Sequence, residues 1–315
     1  MGSYVIRRFL QFIPVVILAS IAVWAIVYAV PGSPAAALAG ENATPETVAA
    51  IEERLGLNRP VIVQYFTWIG QAIHLDFGNS AINGQPVMEQ LSSRIPASLQ
   101  LALFAMVIGL VLAFPMGVVA AVKPRSIATK VINLYQAVAL AVPTFWVGIL
   151  LIIGLSVKNQ VFPAISNYVS IWSDPIGAIR NTLLPALCLG IYISGIIARF
   201  ITASLRDALG QDYVRTARAK GVPEGAVISR HAMRNAMLPT VTIVGLMIGE
   251  FLGGTVVTEV VFSYPGLGRM IYSGITARDY PIIQAAVLFT ILAFLVINLL
   301  VDVLYAFLDP RVRLS

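Results

Sequence analysis

Six long apolar runs separated by polar stretches set the pattern of this chain: Phe9–Val30, Ala97–Val122, Val131–Val157, Thr182–Phe200, Leu238–Phe262 and Ile282–Leu308. A soluble core does not need charge-free runs of 22 to 27 residues such as occur here, whereas a helix crossing a bilayer needs about 20. Each run is therefore predicted to span a membrane as a helix, which makes the fold class an all-α integral membrane protein with six transmembrane helices. Arg7 and Arg8 precede the first run and no small-residue cleavage site accompanies it, so a retained helix is expected over a signal peptide. Pro115 and Pro143 predict kinks in the second and third runs, since neighbouring helices can satisfy the carbonyls that proline frees. Arg199 lies near enough to the end of the fourth run to snorkel. No internal repeat or low-complexity segment interrupts the pattern, so the six spans read as one unit.

The polar stretches carry helical punctuation of their own. Between Pro31 and Pro96, Thr44 can cap a helix that has Pro45 at its first position and Glu46 in its first turn, and Gly56 suits its end. Val48, Ile51 and Leu55 then share one face. A second amphipathic helix, Val61–Ile73, places Tyr65, Phe66, Ile69 and Ile73 together. This region is either a cap packed on the membrane surface or a surface that meets an external partner. The segment Tyr213–Pro239 is basic and rich in small residues, with Arg215, Arg218, Lys220, Arg230 and Arg234. Tyr213–Lys220 is predicted to be helical, Gly221 to stop it, and Val222-Pro223 to break the chain. A second helix then runs from Glu224 to about Asn235 and leads into the span near Leu238-Pro239. Ala217 and Gly221 are expected to leave the backbone accessible. A short exposed helix of that kind suits docking into a groove on a soluble partner.

Composition and charge agree with this division. The chain is 58% hydrophobic with a mean hydropathy of +0.85, against an apolar share of roughly 45–50% for soluble domains. With the N-terminus in the cytoplasm, the inner segments hold 14 of the 21 Lys and Arg residues, among them Lys123, Arg125, Lys130, Arg206, Arg311 and Arg313. The first outer stretch holds six acids and three arginines. That is the positive-inside pattern, and both termini are expected to be cytoplasmic. Cys188 is the single cysteine and sits in an apolar run, so it is read as a packing residue. The two histidines, His74 and His231, fall on opposite sides of the membrane. No phosphate-cradling loop, zinc motif or nucleophile elbow occurs, and no catalytic residue, metal or cofactor is predicted. Basic residues without interleaved aromatic platforms give no reason to expect nucleic acid.

Three acids lie within the spans: Glu250, Glu259 and Asp302. Ionisable groups at membrane depth usually face a bundle interior or a wet cavity. Glu250 and Glu259 are thus candidate lining groups of a translocation pathway, or members of interhelical hydrogen bonds that fix packing. Gly245, Gly249 and Gly253 recur every four residues around Glu250 and allow a neighbouring helix to approach closely.

The string "YVRTARAKGV…RHAMRNAMLPTVT" resembles the cytoplasmic signature loop of ATP-binding-cassette importer permeases, in the form typical of the dipeptide, oligopeptide and nickel subfamily. The resemblance runs nearly end to end through "YVIRRFLQFIP", "PGSPAAALAG", "RLGLNRPVIVQY", "DFGNS", "VFSYPGLGRM", "ARDYPIIQA" and "NLLVDVLYAFLDPRVR". It implies a type I importer permease fold: cytoplasmic N-terminus and first span within 1–30, an extracytoplasmic region at 31–96, a transmembrane domain at 97–310 containing a coupling loop at 201–237, and a cytoplasmic tail at 311–315. It also implies a second permease subunit, two cytoplasmic ATPase subunits that hydrolyse the ATP, and an extracytoplasmic binding protein that delivers peptide. Tyr213, Arg215, Ala217, Arg218, Lys220 and Gly221 would form the ATPase-coupling element, with Ala217 and Gly221 as the small positions. Arg215 and Thr216 replace the Glu and first Ala of the general signature, which fits the peptide branch. Ser33 stands where the family commonly has Asp. Nickel complexes, glutathione or opine-like solutes are alternative cargoes within the family, and a secondary transporter is the alternative from another class.

Overall fold

The apolar runs become helices, but the helices do not end where the runs end. The computed structural model describes residues 2–29, 35–36 and 44–308, so Val30, Ser33, Arg311 and Arg313 lie outside the described residues. Helix α1 is Gly2–Ala29, α2 Pro45–Leu55, α3 Val61–Ile73 and α4 Val87–Val122. Helix α5 is Ile127–Ala141, and α6, Thr144–Leu151, continues as a π-helical stretch over Ile152–Lys158. Helix α7 covers Pro175–Leu209 and α8 Asp212–Ala219. After a turn at Glu224–Ala226 and a π-helical stretch at Val227–Ala232, α9 runs Met233–Gly254. Three helices complete the order: α10 Val256–Val261, α11 Leu267–Ala277 and α12 Tyr280–Leu308. Among the described residues the sole β pairing is an isolated bridge between Asn79 and Pro86.

By length and composition, five helical stretches among the described residues can cross a membrane, or six when the bent pair α5–α6 is counted as one span. The expected kink at Pro143 is in fact a break, with a 102° angle between the arms. Val142 is extended (φ −84°, ψ 126°), the conformation that a following proline imposes. Pro143 opens α6 at φ −60° and ψ 135°. Pro115, by contrast, sits inside the unbroken α4. The fifth run also divides: α9 ends at Gly254 and a separate short α10 carries Glu259. Adjacent Gly253 and Gly254 give the helix little reason to continue there. The segment between α1 and α4 matches its punctuation closely. Thr44 caps α2 by accepting from the Thr47 amide, and Gly56 ends it at φ +68°. Helix α3 lies against α1, where the Tyr65 and Ser20 hydroxyls are 2.8 Å apart and Trp24 meets Tyr65 edge-on.

Helices α4 and α7 form the centre of the bundle, and glycines set their separation. A Cβ on Gly109 would lie 2.5 Å from Ile193 Cγ2, and one on Gly117 would lie 2.6 Å from Ile201 Cβ. Around this seam Leu101, Ala105 and Ala113 of α4 pack with Leu189, Ile193 and Ile197 of α7. The Gly245, Gly249 and Gly253 stripe does what the sequence expects, with α12 as the neighbour that approaches. A Cβ on Gly245 would lie 2.5 Å from both Val301 methyls, on Gly249 3.2 Å from Phe294, and on Gly253 3.2 Å from Thr290. Gly245→Leu should therefore separate α9 from α12 and cost about 1–3 kcal/mol by overpacking. A lowered thermal unfolding midpoint in detergent would register this. Val257→Leu, at a half-exposed position, should leave that midpoint unchanged.

Candidate functional site

The basic segment folds as a short helix held at the end of the bundle. Val214 and Ala217 are its buried residues, packed with Ala121 at the end of α4, Leu205 and Ala208 of α7, and Val227, Ala232 and Ala236 on the way into α9. The Arg206 side chain supports the same corner by donating to the Ala120 carbonyl at 2.7 Å. Tyr213, Arg215, Thr216, Arg218 and Lys220 face outward. Gly221 follows the helix at φ +78°, its amide donating to the Arg218 carbonyl, and a Cβ there would meet nothing within 4 Å. The predicted helix, stop and break are all present. The accessible backbone at Ala217 is not: that residue is 7% exposed and points into its own subunit. With 3.6 residues per turn, Val214 and Ala217 share one face, and the apolar pair turns inward because the basic residues cannot.

Arg218 and Glu224 close the break that follows the helix. The guanidinium donates to both carboxylate oxygens, at 3.0 and 2.7 Å, from one side of Gly221–Pro223 to the other. The hydrogen bond to Glu224 raises the already high pKa of Arg218. Both groups are solvent-exposed, so the pair fixes the shape of the turn more than it adds stability.

At the opposite end of the bundle Glu259 is the organising group. It is fully buried, so it lines no open path in this structure. Its Oε1 accepts from the Ser98 and Thr255 hydroxyls, both at 2.8 Å, and its Oε2 accepts from the Arg269 amide at 2.9 Å. Ser98 in turn accepts from the Leu267 amide at 2.8 Å. Glu259 and Ser98 thereby satisfy the free amides at the start of α11, which Gly266 cannot cap because it has no side chain. Gly266 must itself be small, since a Cβ would lie 2.4 Å from the Glu259 carboxylate. In this structure the acid makes an interhelical hydrogen bond, from α10 to Ser98 of α4. Beside it, Gln100 ties α4 to the loop before α7 by donating to the Val169 carbonyl and accepting from the Ile171 amide. The strings "DFGNS" and "ARDYPIIQA" meet where the Ser80 hydroxyl donates to buried Asp279 at 2.5 Å.

Glu250 is placed differently. It is exposed on α9 and, among the described residues, has no hydrogen bond or ion pair, and it is not brought together with Glu259. Asp302 accepts from Arg8 Nε at 2.6 Å, joining α12 to α1. Cys188 is buried, with its thiol on the Thr144 carbonyl. Among the described residues no His, Cys, Asp and Glu cluster could hold a metal ion. Sequence reasoning missed Ser98, Gln100 and Asp279. The pattern offered one usable signal, the polar pair Ser98 and Gln100 at the start of an otherwise apolar run.

A helical bundle of up to six candidate spans, with a basic helix folded back on one end, defines a multi-span membrane protein. The chain belongs to the family described as binding-protein-dependent transport system inner membrane component, which matches residues 113–314, and the N-terminal region of that family matches residues 1–102. It is 40% identical over 314 residues to a protein of Brucella abortus (strain 2308) assigned as a peptide transport system permease, covering 99% of each chain. It is 38% identical over 313 residues to the glutathione transport system permease protein of Escherichia coli (strain K12), again covering 99% of each. A crystal structure of an amino acid ABC transporter with histidines has the same fold, at a TM-score of 0.51 and 20% identity, over 71% of this chain and 94% of the other. The fold is that of a type I ABC importer permease. The chain is a membrane-embedded, non-catalytic subunit of such an importer.

Proposed function

We propose that this chain pairs with a second, similar permease to form the translocation pathway of a peptide importer, and that Tyr213–Gly221 couples it to a cytoplasmic ATPase. The seating of α8 carries this reading: Val214 and Ala217 fix it to α4 and α7, while its aromatic and basic face is left for a partner. A force applied to that face passes directly into α7 and α9, which enter and leave the segment, as a rigid-body change requires. An extracytoplasmic binding protein delivers the cargo, and both termini face the cytoplasm, in keeping with the distribution of Lys and Arg. The names of the two relatives favour peptides, glutathione being itself a tripeptide. Glu250, exposed and unpaired in the single subunit, is the candidate lining group for a peptide amine once the second permease is present. Gly221 lies at the partner-facing edge, where a side chain would project away from this subunit.

Gly221→Glu should insert normally, with a local cost of about 1–2 kcal/mol for the left-handed backbone, yet fail to couple. Co-purification of the cognate ATPase and peptide uptake in reconstituted vesicles test the reading together. Normal uptake by Gly221→Glu would remove the docking role, and a wild-type chain that carries peptide without any ATPase would favour a secondary transporter.

A further inference from the structure

The outer end of the bundle holds a cavity of about 310 Å³ whose chemistry neither the coupling segment nor Glu259 uses. Arg94 of α4, Arg269 and Ser273 of α11, and Asn83 and Gln90 contribute to its wall. Both arginines are half-buried. Arg269 donates to the Ser263 carbonyl. Among the described residues no hydrogen bond or ion pair engages the Arg94 guanidinium, which feels the like charge of Arg269 and the opposite charge of Glu259. Glu259 forms no ion pair with it, its oxygens accepting from two hydroxyls and the Arg269 amide. Asp279, the acid in the cavity wall, is 2% exposed and holds the Ser80 hydroxyl and the Ala81 amide. The cavity therefore presents two guanidinium groups, neither of them in an ion pair among the described residues. Half-buried like charges disfavour one another, and an anion beside them offsets that repulsion. A planar carboxylate matches the guanidinium fork. The buried Asp279 charge in the same wall opposes any added anion, and a dianion such as phosphate more than a monocarboxylate.

We propose that this cavity is a carboxylate-binding site, with Arg94 as the primary partner and Arg269 as the second cation. The importer reading enters only in naming the source of the carboxylate, which is either the C-terminus of an arriving peptide or an acidic side chain of the binding protein. The test is protection of Arg94 from phenylglyoxal, read by peptide mass spectrometry on the wild-type chain in lipid nanodiscs. The probes are N-acetyl-dialanine, its C-terminal amide, inorganic phosphate, and the cognate binding protein. The free acid at saturation should slow modification of Arg94 about tenfold, the amide should not, and exposed Arg215 should react alike throughout. Protection by the free acid assigns the site to the peptide, and protection by the binding protein alone assigns it to that protein. Either supports a carboxylate site. Equal protection by acid and amide, protection by phosphate alone, or none from any probe overturns it. Because the labelling needs no ATPase, an ATPase that co-purifies while Arg94 stays unprotected rejects the site and leaves the importer reading intact.

Discussion

Glu259→Ala is expected to destabilise the bundle more than any substitution on the exposed face of α8. It strips the acceptor from the Arg269 amide and from the Ser98 and Thr255 hydroxyls, inside a site with no exposure to water. A buried donor left without an acceptor costs about 1–3 kcal/mol, so the total should reach about 3–5 kcal/mol. Glu259→Gln keeps the volume and one acceptor oxygen, and should lie between wild type and Ala. Thermal unfolding in detergent, followed by loss of the monodisperse peak on size-exclusion chromatography, gives the ranking. The same series separates the two readings of this acid. A lining carboxylate would lose transport with its stability untouched, and the hydrogen-bonding role requires that stability fall first.

The six spans were legible because bilayer crossing imposes a length and an apolarity that few other contexts demand. Helix limits were less legible. Helix α4 begins at Val87 and α7 extends to Leu209, beyond their apolar runs, because hydropathy registers the surroundings of a helix and not its hydrogen bonding. Local rules did well where a single residue decides the outcome, as at Thr44, Gly56 and Gly221, each placed where its capping or left-handed geometry requires. The Gly245 stripe was readable from its four-residue spacing. The Gly109 and Gly117 pair was equally available, since eight residues return to the same face of a helix, but without a neighbouring charge it drew no notice. What no local pattern could supply was partnership across the chain. Glu259 reads alike as a lining group or a packing group until Ser98, more than 150 residues earlier, is found beside it. Ala217 failed for a related reason. Smallness is equally consistent with exposure to a partner and with burial against one's own subunit, and only the positions of Leu205 and Val227 distinguish them.

Ala217→Leu should uncouple the subunit from within. The residue fills a site bounded by Ala121, Leu205, Ala208, Val227 and Ala232, where a larger side chain forces α8 away from the ends of α4 and α7. The bundle itself should persist, because its central seam is made at Gly109 and Gly117 and does not involve α8. The expected result is an inserted chain with stability lowered by about 1–3 kcal/mol, and with peptide uptake and transporter-stimulated ATP hydrolysis reduced much further. Tyr213→Ala gives the contrast, since Tyr213 lies on the outward face at 39% exposure. It should weaken ATPase association while leaving the unfolding midpoint in place. If both variants lowered stability equally, Tyr213 would belong to the packed face and the outward surface would have to be redrawn. If Ala217→Leu transported normally, motion of α8 would not be what reaches the bundle, and the force would have to enter through Glu224–Ala232, where the chain passes from the break at Pro223 into α9.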